Sequence, residues 1–193
     1  MIFKFVKLVV RSIFHMLYDI EFIGMDKLPQ EGAFIICANH ISNLDPVLLV
    51  AFVRRNVRFM AKHELYKIPV LGGILTAVGA FPVNREAVEI TSIKHALGLL
   101  KKGEVMGIFA QGSRATSEVD EESGKAGVAM FAVRANVPVV PVGIKGSYRP
   151  FTRIVVNIGE PMYFQEEEGK KMRSAELSVL TKQIMLEIKK MAE

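Results

Sequence analysis

A histidine and an aspartate stand five positions apart just after an apolar run ends, in the segment Asn39-His40-Ile41-Ser42-Asn43-Leu44-Asp45-Pro46. On a continuous helix this spacing would turn the two side chains apart, but a strand end followed by a turn and a new helix can bring them together. A neutral imidazole can then remove a proton from a hydroxyl, while the carboxylate fixes its tautomer and stabilises the imidazolium that forms. The spacing therefore predicts a strand–loop–helix site in which His40 is a general base and Asp45 orients it.

The same two residues also fit a purely structural interpretation. Asp45 would cap the N-terminus of a helix, with Pro46 at the first helical position, and His40 would be an ordinary loop histidine near a sheet edge. The two interpretations do not exclude each other, because a capping aspartate can also orient a histidine. The rest of the chain has to show how much chemistry the pair carries.

The composition points to one domain with a large core. The chain has 193 residues, of which 50% are hydrophobic, and a formal net charge of +5. This length suits a single core, and the high apolar fraction predicts that some apolar surface stays exposed. The one cysteine, Cys37, falls in a predicted buried strand, which leaves no disulfide framework or thiolate metal site and fits a reducing compartment. We expect no metal requirement, because no two histidines form a close pair on one helix face: the four are His15, His40, His63 and His95.

The first 18 residues have the pattern of a helix that lies at a membrane surface. Their basic residues recur every three or four positions and form one stripe: Lys4, Lys7, Arg11 and His15. Most of the remaining positions are apolar, so the apolar arc is wider than a core-facing stripe needs. Burying the two lysines and the arginine near the centre of a bilayer would cost about 2.5 to 3.5 kcal/mol each, which disfavours a span. The alternative is that the apolar face packs on the domain core.

Processing and spanning segments are not expected. The spread of charges through the N-terminal segment and the lack of a small-x-small site disfavour a cleaved signal peptide. A second uncharged stretch, residues 68–84, is interrupted by glycines and prolines and falls short of the ~20 residues of a span. We therefore predict a peripheral or monotopic protein on the cytoplasmic face of the cell membrane.

Apolar runs alternate with helical patterns along the rest of the chain, with no linker or repeat. This order predicts a single α/β domain with a central mixed sheet flanked by helices. The predicted strands are residues 21–24, 33–38, 58–61, 81–83, 105–109, 137–144 and 153–158. The predicted helices after the first are residues 46–53, 68–78, 88–102, 125–134 and 174–191.

Three further segments accompany the histidine and the aspartate. Residues 79–85 bring Arg85 out of an apolar stretch, residues 109–114 bring Arg114 out of a strand end, and residues 137–142 form an apolar strand with prolines. In this order the segments resemble the four blocks of the glycerolipid acyltransferase family, most closely its 1-acyl-sn-glycerol-3-phosphate acyltransferases. Those blocks are N-H-x4-D, a glycine-to-arginine block, F-P-E-G-T-R, and a proline-flanked apolar block. The resemblance covers roughly residues 20–160, and residues 20–193 are predicted to be the acyltransferase domain, after an N-terminal membrane-associating helix at residues 1–19.

The chain departs from the family in the third block. Ala110 and Gln111 stand at the proline and glutamate positions, and Ser113 replaces threonine. Gln111 can still donate and accept hydrogen bonds, but it cannot form a charged pair with an arginine or act as a base. The departure affects how the site is held and which acceptor fits, and leaves His40 and Asp45 untouched.

The resemblance implies transfer of a fatty acyl group from an acyl thioester to the sn-2 hydroxyl of lysophosphatidic acid, which forms phosphatidic acid in phospholipid biosynthesis. The donor would be acyl-coenzyme A or acyl carrier protein, with no further cofactor. The hydroxyl would attack the thioester directly, with no acyl-enzyme. Lys62 and backbone N–H groups near Gly112 would stabilise the oxyanion, and two arginines would hold the phosphate. The implied substrate-binding residues are Lys62, Arg85, Gly112, Ser113 and Arg114.

Some of these residues have alternative interpretations. Lys62 lies near Arg54 and Arg55, and this basic cluster would equally suit anionic lipid or an acidic acyl carrier. Lys125 and Gly127 open a predicted helix, which is either an anion site or simple helix initiation. Apolar residues between positions 68 and 78 either line the acyl path or belong to the core.

Two other functions remain open. An enzyme of the same fold would acylate a different lyso-lipid or a polyol phosphate. A non-catalytic lipid-binding protein would explain the N-terminal helix and the positive charge, but not why His40 and Asp45 accompany Arg85 and Arg114. Nucleic acid is not expected as a partner, since the charge alone suits it and no basic segment is interleaved with aromatic residues.

Overall fold

The computed structural model describes residues 2–68, 71–77, 79–83, 90–109, 127–166 and 171–193. These residues form helices packed on both faces of one sheet, so the predicted α/β class is confirmed. The strands are β1 (Asp19–Ile23), β2 (Phe34–Ala38), β3 (Val57–Lys62), β4 (Phe81–Val83), β5 (Val105–Phe109), β6 (Val139–Gly146) and β7 (Arg153–Ile158). The α-helices are α1 (Ile2–Leu17), α2 (Asp45–Phe52), α3 (Leu71–Ala77), α4 (Ile90–Lys101), α5 (Gly127–Ala135) and α6 (Ser174–Ala192), and short 3-10 turns cover Met25–Lys27 and His63–Lys67.

The element boundaries differ from the predicted ones where a partner strand or a special backbone conformation decides them. β1 starts two residues earlier than predicted, because Asp19 pairs with Arg153 of β7. It ends before Gly24, whose left-handed φ of 80° breaks the strand. β6 runs on to Gly146, because its last residues pair with β7. The predicted starts of the helices at 88 and 125 lie outside the described residues.

The sheet is mixed, as predicted, and its strand order is β1-β7-β6-β2-β5-β3-β4. Only the β6–β7 pair is antiparallel among the described strands. β2 lies at the centre between β5 and β6, and all five of its residues are buried. A strand covered on both faces is expected to be a continuous apolar run, as β2 is.

The pleat of β2 divides the core into two layers. Phe34, Ile36 and Ala38 point to the side of α1 and α2. Ile35 and Cys37 point to the other side, where α4, α5 and α6 cover the sheet. Burial raises the pKa of the Cys37 thiol to about 12, which fits the predicted role of this residue in core packing.

The helix α1 contacts the C-terminal end of α2 through three basic residues of its stripe, of which Lys7 is half-buried and Arg11 and His15 stay exposed. The Lys7 Nζ donates to the backbone carbonyl of Val53, 2.9 Å away, just beyond the C-terminus of α2. The guanidinium of Arg11 lies 5.2 Å from the ring centroid of Phe52, and the His15 ring meets the same ring edge-on at 5.1 Å. Cations are favourable at a helix C-terminus, where the carbonyl groups lack partners.

This docking leaves the apolar arc of α1 facing outward. Five apolar side chains expose 41% to 69% of their surface: Phe5, Leu8, Val9, Ile13 and Met16. Phe14 is buried, and Val10 packs in part against the core. The alternative from the sequence, packing of the apolar face on the core, therefore holds for Phe14 and Val10 and not for these five side chains. In the part of the chain that the structure describes, no helix has both the length and the apolar character needed to cross a membrane.

Candidate active site

The crossover connections open a crevice at the centre of the sheet. From β2 the chain passes through α2 to β3 on one side, and from the neighbouring β5 it passes back through α5 to β6 on the other side. Two adjacent parallel strands whose connections leave in opposite directions create a cleft at their carboxyl ends, where ligands bind in open α/β sheets. His40 follows the carboxyl end of β2 and Phe109 ends β5, so both lie at this switch point.

The predicted contact between His40 and Asp45 is present. The His40 Nδ1 lies 2.7 Å from the Asp45 Oδ2, with the histidine side chain 12% exposed and the aspartate fully buried. A carboxylate only accepts hydrogen bonds, so the bond requires the proton on Nδ1 and leaves the lone pair on Nε2. This is the tautomer that a general base needs.

The Asp45 carboxylate is turned back toward the loop that carries the histidine. Its Oδ2 also accepts the backbone N–H groups of Ile41 and Ser42, at 2.8 and 2.7 Å. Helix α2 begins at Asp45 itself, the residue in the cap position is Leu44, and that residue makes no side-chain cap bond. The interpretation of Asp45 as an N-cap with Pro46 at the first helical position is therefore wrong.

Asn39 holds the start of this loop against the neighbouring strand. Its side-chain amide donates to the backbone carbonyl of Ile144 at 2.8 Å and accepts from the N–H of the same residue at 2.6 Å. The amide thus continues the ladder between β2 and β6 one step beyond the end of β2. Asn39 was not predicted to have a role of its own. The available signal of that role was its position directly before the histidine.

A stack of aromatic rings supports the imidazole. The His40 ring lies almost parallel to the Phe109 ring, with centroids 4.1 Å apart and 18° between the planes. Phe109 stacks in turn on Phe59 of β3 at 5.1 Å. Gly107 makes room for this stack, because a Cβ at that position would collide with the Phe59 ring. The stack restrains the plane of the imidazole while the Asp45 bond restrains its rotation within that plane.

A tyrosine from a distant segment completes the surroundings of the aspartate. The hydroxyl of Tyr148, two residues beyond the end of β6, donates to the Asp45 Oδ1 at 2.7 Å. Burial and the neighbouring Asp45 hold the pKa of Tyr148 well above its usual range, so the hydroxyl stays a donor. Tyr148 was not among the residues predicted for the site. The available signal of its role was its place after a strand that ends on the same side of the sheet as His40.

The structure describes only part of the predicted substrate-binding set. Lys62 is the last residue of β3, at the same sheet edge as His40. Arg85, Gly112, Ser113 and Arg114 lie outside the described residues, as does Lys125, while Gly127 is the first residue of α5. The described strands that precede them, β4 and β5, run parallel to β2 or its neighbours and end at this edge. Their roles stay predictions.

Within the predicted basic cluster of Lys62, Arg54 and Arg55, the backbones of Arg55 and Lys62 lie toward opposite ends of β3. Arg55 donates to the backbone carbonyls of Gly32 and Gly103, before the amino ends of β2 and β5. Lys62 is at the opposite end of β3, so roughly 16 Å of strand separates the two regions. Arg55 therefore stabilises the edge remote from His40.

No group of three or more histidine, cysteine, aspartate or glutamate side chains in a metal-binding arrangement is found among the residues that the structure describes. Two of the other histidines pack against aromatic rings, His15 on Phe52 and His95 on Phe81. The described pair that is placed for proton transfer is His40 and Asp45.

The chain is similar to known proteins both in sequence and in fold. The sequence model of the family described as "Acyltransferase" matches residues 19–145, more than half of the chain. A 1-acyl-sn-glycerol-3-phosphate acyltransferase of Bacillus subtilis is 29% identical over 164 residues, which are 83% of this chain and 82% of that protein. The protein of that name in Streptococcus pneumoniae is 30% identical over 87% of this chain and 64% of its own length.

A solved structure shares the fold. The crystal structure of the 1-acyl-sn-glycerophosphate acyltransferase PlsC from Thermotoga maritima superposes with a TM-score of 0.74 at 28% identity, covering 97% of this chain and 77% of the other. The match of the family model, the relatives and the shared fold confirm the resemblance that the four sequence blocks indicated. The chain therefore belongs to the acyltransferase family.

Proposed function

We propose that this protein transfers a fatty acyl group from an acyl thioester to the sn-2 hydroxyl of 1-acyl-sn-glycerol 3-phosphate and so forms phosphatidic acid. The observation that carries the proposal is the hydrogen-bonded His40–Asp45 pair at the switch point of the sheet. Relatives from Bacillus subtilis and Streptococcus pneumoniae carry the name of this activity, and both align over more than four fifths of the chain.

The reaction needs one proton transfer in each direction. The Nε2 of His40 takes the proton of the acceptor hydroxyl as its oxygen attacks the thioester carbonyl carbon. The tetrahedral intermediate then collapses, the carbon–sulfur bond breaks, and the leaving thiolate takes the proton back from the imidazolium. The products are the ester and a free thiol. Asp45 keeps the proton on Nδ1 throughout and stabilises the imidazolium between the two transfers.

Direct attack by the acceptor needs no acyl-enzyme. The one thiol of the chain, Cys37, is fully buried in β2, and its raised pKa keeps it protonated. A buried thiol without an adjacent base is a poor nucleophile. This supports a single displacement in which both substrates occupy the site together.

The remaining parts of the site follow from the family's blocks. Lys62 and backbone N–H groups near Gly112 are proposed to stabilise the oxyanion, with Ser113 in the same block. Arg85 and Arg114 are proposed to bind the phosphate, because a guanidinium can make two parallel hydrogen bonds to it. Acyl-coenzyme A or acyl carrier protein is the proposed co-substrate, and no metal or other cofactor is proposed.

Helix α1 is proposed to hold the enzyme at the membrane surface, with residues 1–19 as a membrane-associating helix and 20–193 as the acyltransferase domain. The support is the apolar surface of α1 that stays exposed while Lys7, Arg11 and His15 contact the end of α2. The match of the family model begins at residue 19, just after this helix. A peripheral or monotopic site on the cytoplasmic face of the cell membrane would let the lipid substrate and product remain in the bilayer.

The loop beyond β6 also supports an orientation in which the exposed apolar side chains of α1 face the membrane. Phe151 exposes 84% of its surface and donates its backbone N–H to the carbonyl of Leu17 at the end of α1. The same loop carries Tyr148, which contacts Asp45. One short segment thus joins α1 to the aspartate, which supports the proposal of a membrane surface beside the proposed site.

A different acceptor is the alternative, because the third block departs from the family pattern. Gln111 stands where the family has a glutamate, and an amide cannot form a charged pair with an arginine. A different lyso-lipid or a polyol phosphate would use the same base and the same thioester. Comparing initial rates with lysophosphatidic acid, lysophosphatidylglycerol and glycerol 3-phosphate would separate these acceptors.

The proposal is tested by measuring thiol release from acyl-coenzyme A and from acyl carrier protein on addition of lysophosphatidic acid. We expect acceptor-dependent release by the wild type and none above background by His40→Ala. A matched control is His95→Ala, which removes a histidine of α4 on the other face of the sheet and should keep the rate within about threefold. Absence of release by the folded wild type with both donors and all three acceptors would refute the proposal.

A further inference from the structure

The two oxygens of the Asp45 carboxylate have different partners. Oδ2 accepts from His40 and from two backbone N–H groups, all within the loop that precedes α2. Oδ1 accepts from Tyr148, which lies 103 positions along the chain. Among the described residues, Tyr148 is the one donor to Oδ1. Because the side chain is fully buried, water cannot substitute freely for this partner.

We propose that Tyr148 is a positioning residue for acyl transfer, whose hydroxyl holds the Asp45 carboxylate in the orientation that keeps His40 ready to act as the base. This inference rests on the proposed function. The terminal torsion of an aspartate is broad, so three bonds to one oxygen leave the plane of the group poorly restrained. A fourth bond to the other oxygen, from a different direction, fixes that plane.

The position of Tyr148 is itself restrained by the segment that follows α1. The restraint comes from the ring of Tyr18, which meets the Tyr148 ring edge-on at a centroid distance of 5.7 Å. The Tyr18 hydroxyl, 3.4 Å from the Tyr148 carbonyl oxygen, is at the weak limit of a hydrogen bond. The backbone N–H of Phe151 donates to the Leu17 carbonyl at 2.6 Å. Tyr148 is therefore held independently of the loop that carries the histidine, as a support for that loop has to be.

The hydroxyl remains protonated over the working range of the enzyme. Burial is the main cause of the raised pKa of Tyr148, and the charge of Asp45 and the hydrogen bond to it act in the same direction. The hydrogen bond consequently always runs from the tyrosine to the carboxylate. In this proposal Tyr148 acts through Asp45, to which it is bonded, and does not exchange a proton in the reaction.

The first test compares Tyr148→Phe with Tyr18→Phe. Each variant removes one hydroxyl from the same pair of packed rings, but only the first removes a bond to Asp45. In a buried site, loss of a hydrogen bond to a charged group is expected to lower kcat about tenfold to a hundredfold. We expect that loss for Tyr148→Phe with the KM of both substrates within about twofold, and no more than a twofold change in kcat for Tyr18→Phe.

A double-mutant cycle separates positioning from general stability. If Tyr148 acts through Asp45, its hydroxyl matters little once the carboxylate is gone, so Tyr148→Phe should cost less than about threefold in an Asp45→Asn background. An equal loss in both backgrounds would mean that the hydroxyl acts independently of the carboxylate, and an unchanged kcat in the wild-type background would mean that it has no role. Either result overturns the proposal.

A spectroscopic measurement tests the same inference without turnover. In protein labelled with 15N-histidine, the Nδ1 proton of His40 should give a downfield resonance, assigned by its absence in His40→Ala. We expect this resonance to shift or broaden in Tyr148→Phe and to stay in place in Tyr18→Phe. An unchanged resonance in Tyr148→Phe would refute positioning by Tyr148. A wild type that shows the resonance but no acyl transfer would instead refute the proposed function.

Discussion

Membrane binding through α1 can be tested by making its outward face polar. Among the side chains of this helix that the structure describes, the most exposed apolar ones are Phe5, Leu8 and Met16, which show 67%, 62% and 69% of their surface. Complete burial of a large apolar side chain is worth about 1.5 to 3 kcal/mol. Since about two thirds of each side chain is available to lipid, each contributes about 1 to 2 kcal/mol.

The triple substitution Phe5→Ser, Leu8→Ser and Met16→Ser therefore removes about 3 to 6 kcal/mol of binding free energy. This corresponds to a partition constant weaker by a factor of about a hundred to ten thousand. The assay is co-sedimentation of the purified protein with phosphatidylcholine–phosphatidylglycerol vesicles over a range of lipid concentrations. Far-UV circular dichroism and thermal melting show whether the variant is folded.

A matched control uses exposed apolar residues on another helix. Val179 and Leu186 of α6 expose 55% and 49% of their surface, and α6 packs on the opposite face of the sheet from α1. Their replacement by serine should leave vesicle binding within about twofold, because this helix is not expected to face the bilayer. Unchanged binding by the folded triple variant, or an equal loss in the control, would show that the exposed apolar residues of α1 do not bind the membrane.

Three further predictions concern the site and the core. Asp45→Asn should lower kcat on the order of a thousandfold, because an amide at this position no longer secures the tautomer of His40; activity near that of the wild type would reduce Asp45 to a structural role. Phe109→Ala should lower the free energy of unfolding by about 3 kcal/mol and kcat by about tenfold, because it removes the ring on which the imidazole stacks. Urea titration measures the first effect and steady-state rates the second. A loss of stability with full activity would show that the stack does not restrain His40. Cys37 should resist N-ethylmaleimide at pH 8 in the folded protein and react on unfolding in urea, since the thiol is fully buried and its pKa is raised to about 12. Rapid labelling of the native protein, seen by mass spectrometry, would contradict the burial of this thiol.

Local sequence patterns determined the elements of this protein and its family. The unbroken apolar run of β2 predicted a buried strand, because a strand covered on both faces needs no polar alternation. The five-residue spacing of His40 and Asp45 across a strand end and a helix start predicted their contact, because the intervening loop is too short to carry them far apart. The order of the four blocks predicted the family, which the match over residues 19–145 confirms.

The order of the strands was not contained in those patterns. Each parallel strand pairs with neighbours that lie far away in the sequence, and an apolar run alone does not specify which neighbour it takes. The interpretation of Asp45 as a helix cap failed for a related reason. A carboxylate at a helix start can accept N–H groups from the helix or from the loop before it, and the fold of the loop decides between them.

Only the tertiary structure decided which face of α1 meets the protein and which residues complete the site. The sequence placed the basic stripe opposite the apolar arc, but Lys7 of the stripe contacts the protein because the carbonyl-bearing C-terminus of α2 lies beneath it, while five apolar side chains stay exposed. Tyr148 and Ile144 come to the His40 loop from more than 100 positions away, where β6 lies beside β2. Contacts of this kind depend on strand pairing and not on local spacing, so the residues that hold the catalytic pair became visible only in the folded chain.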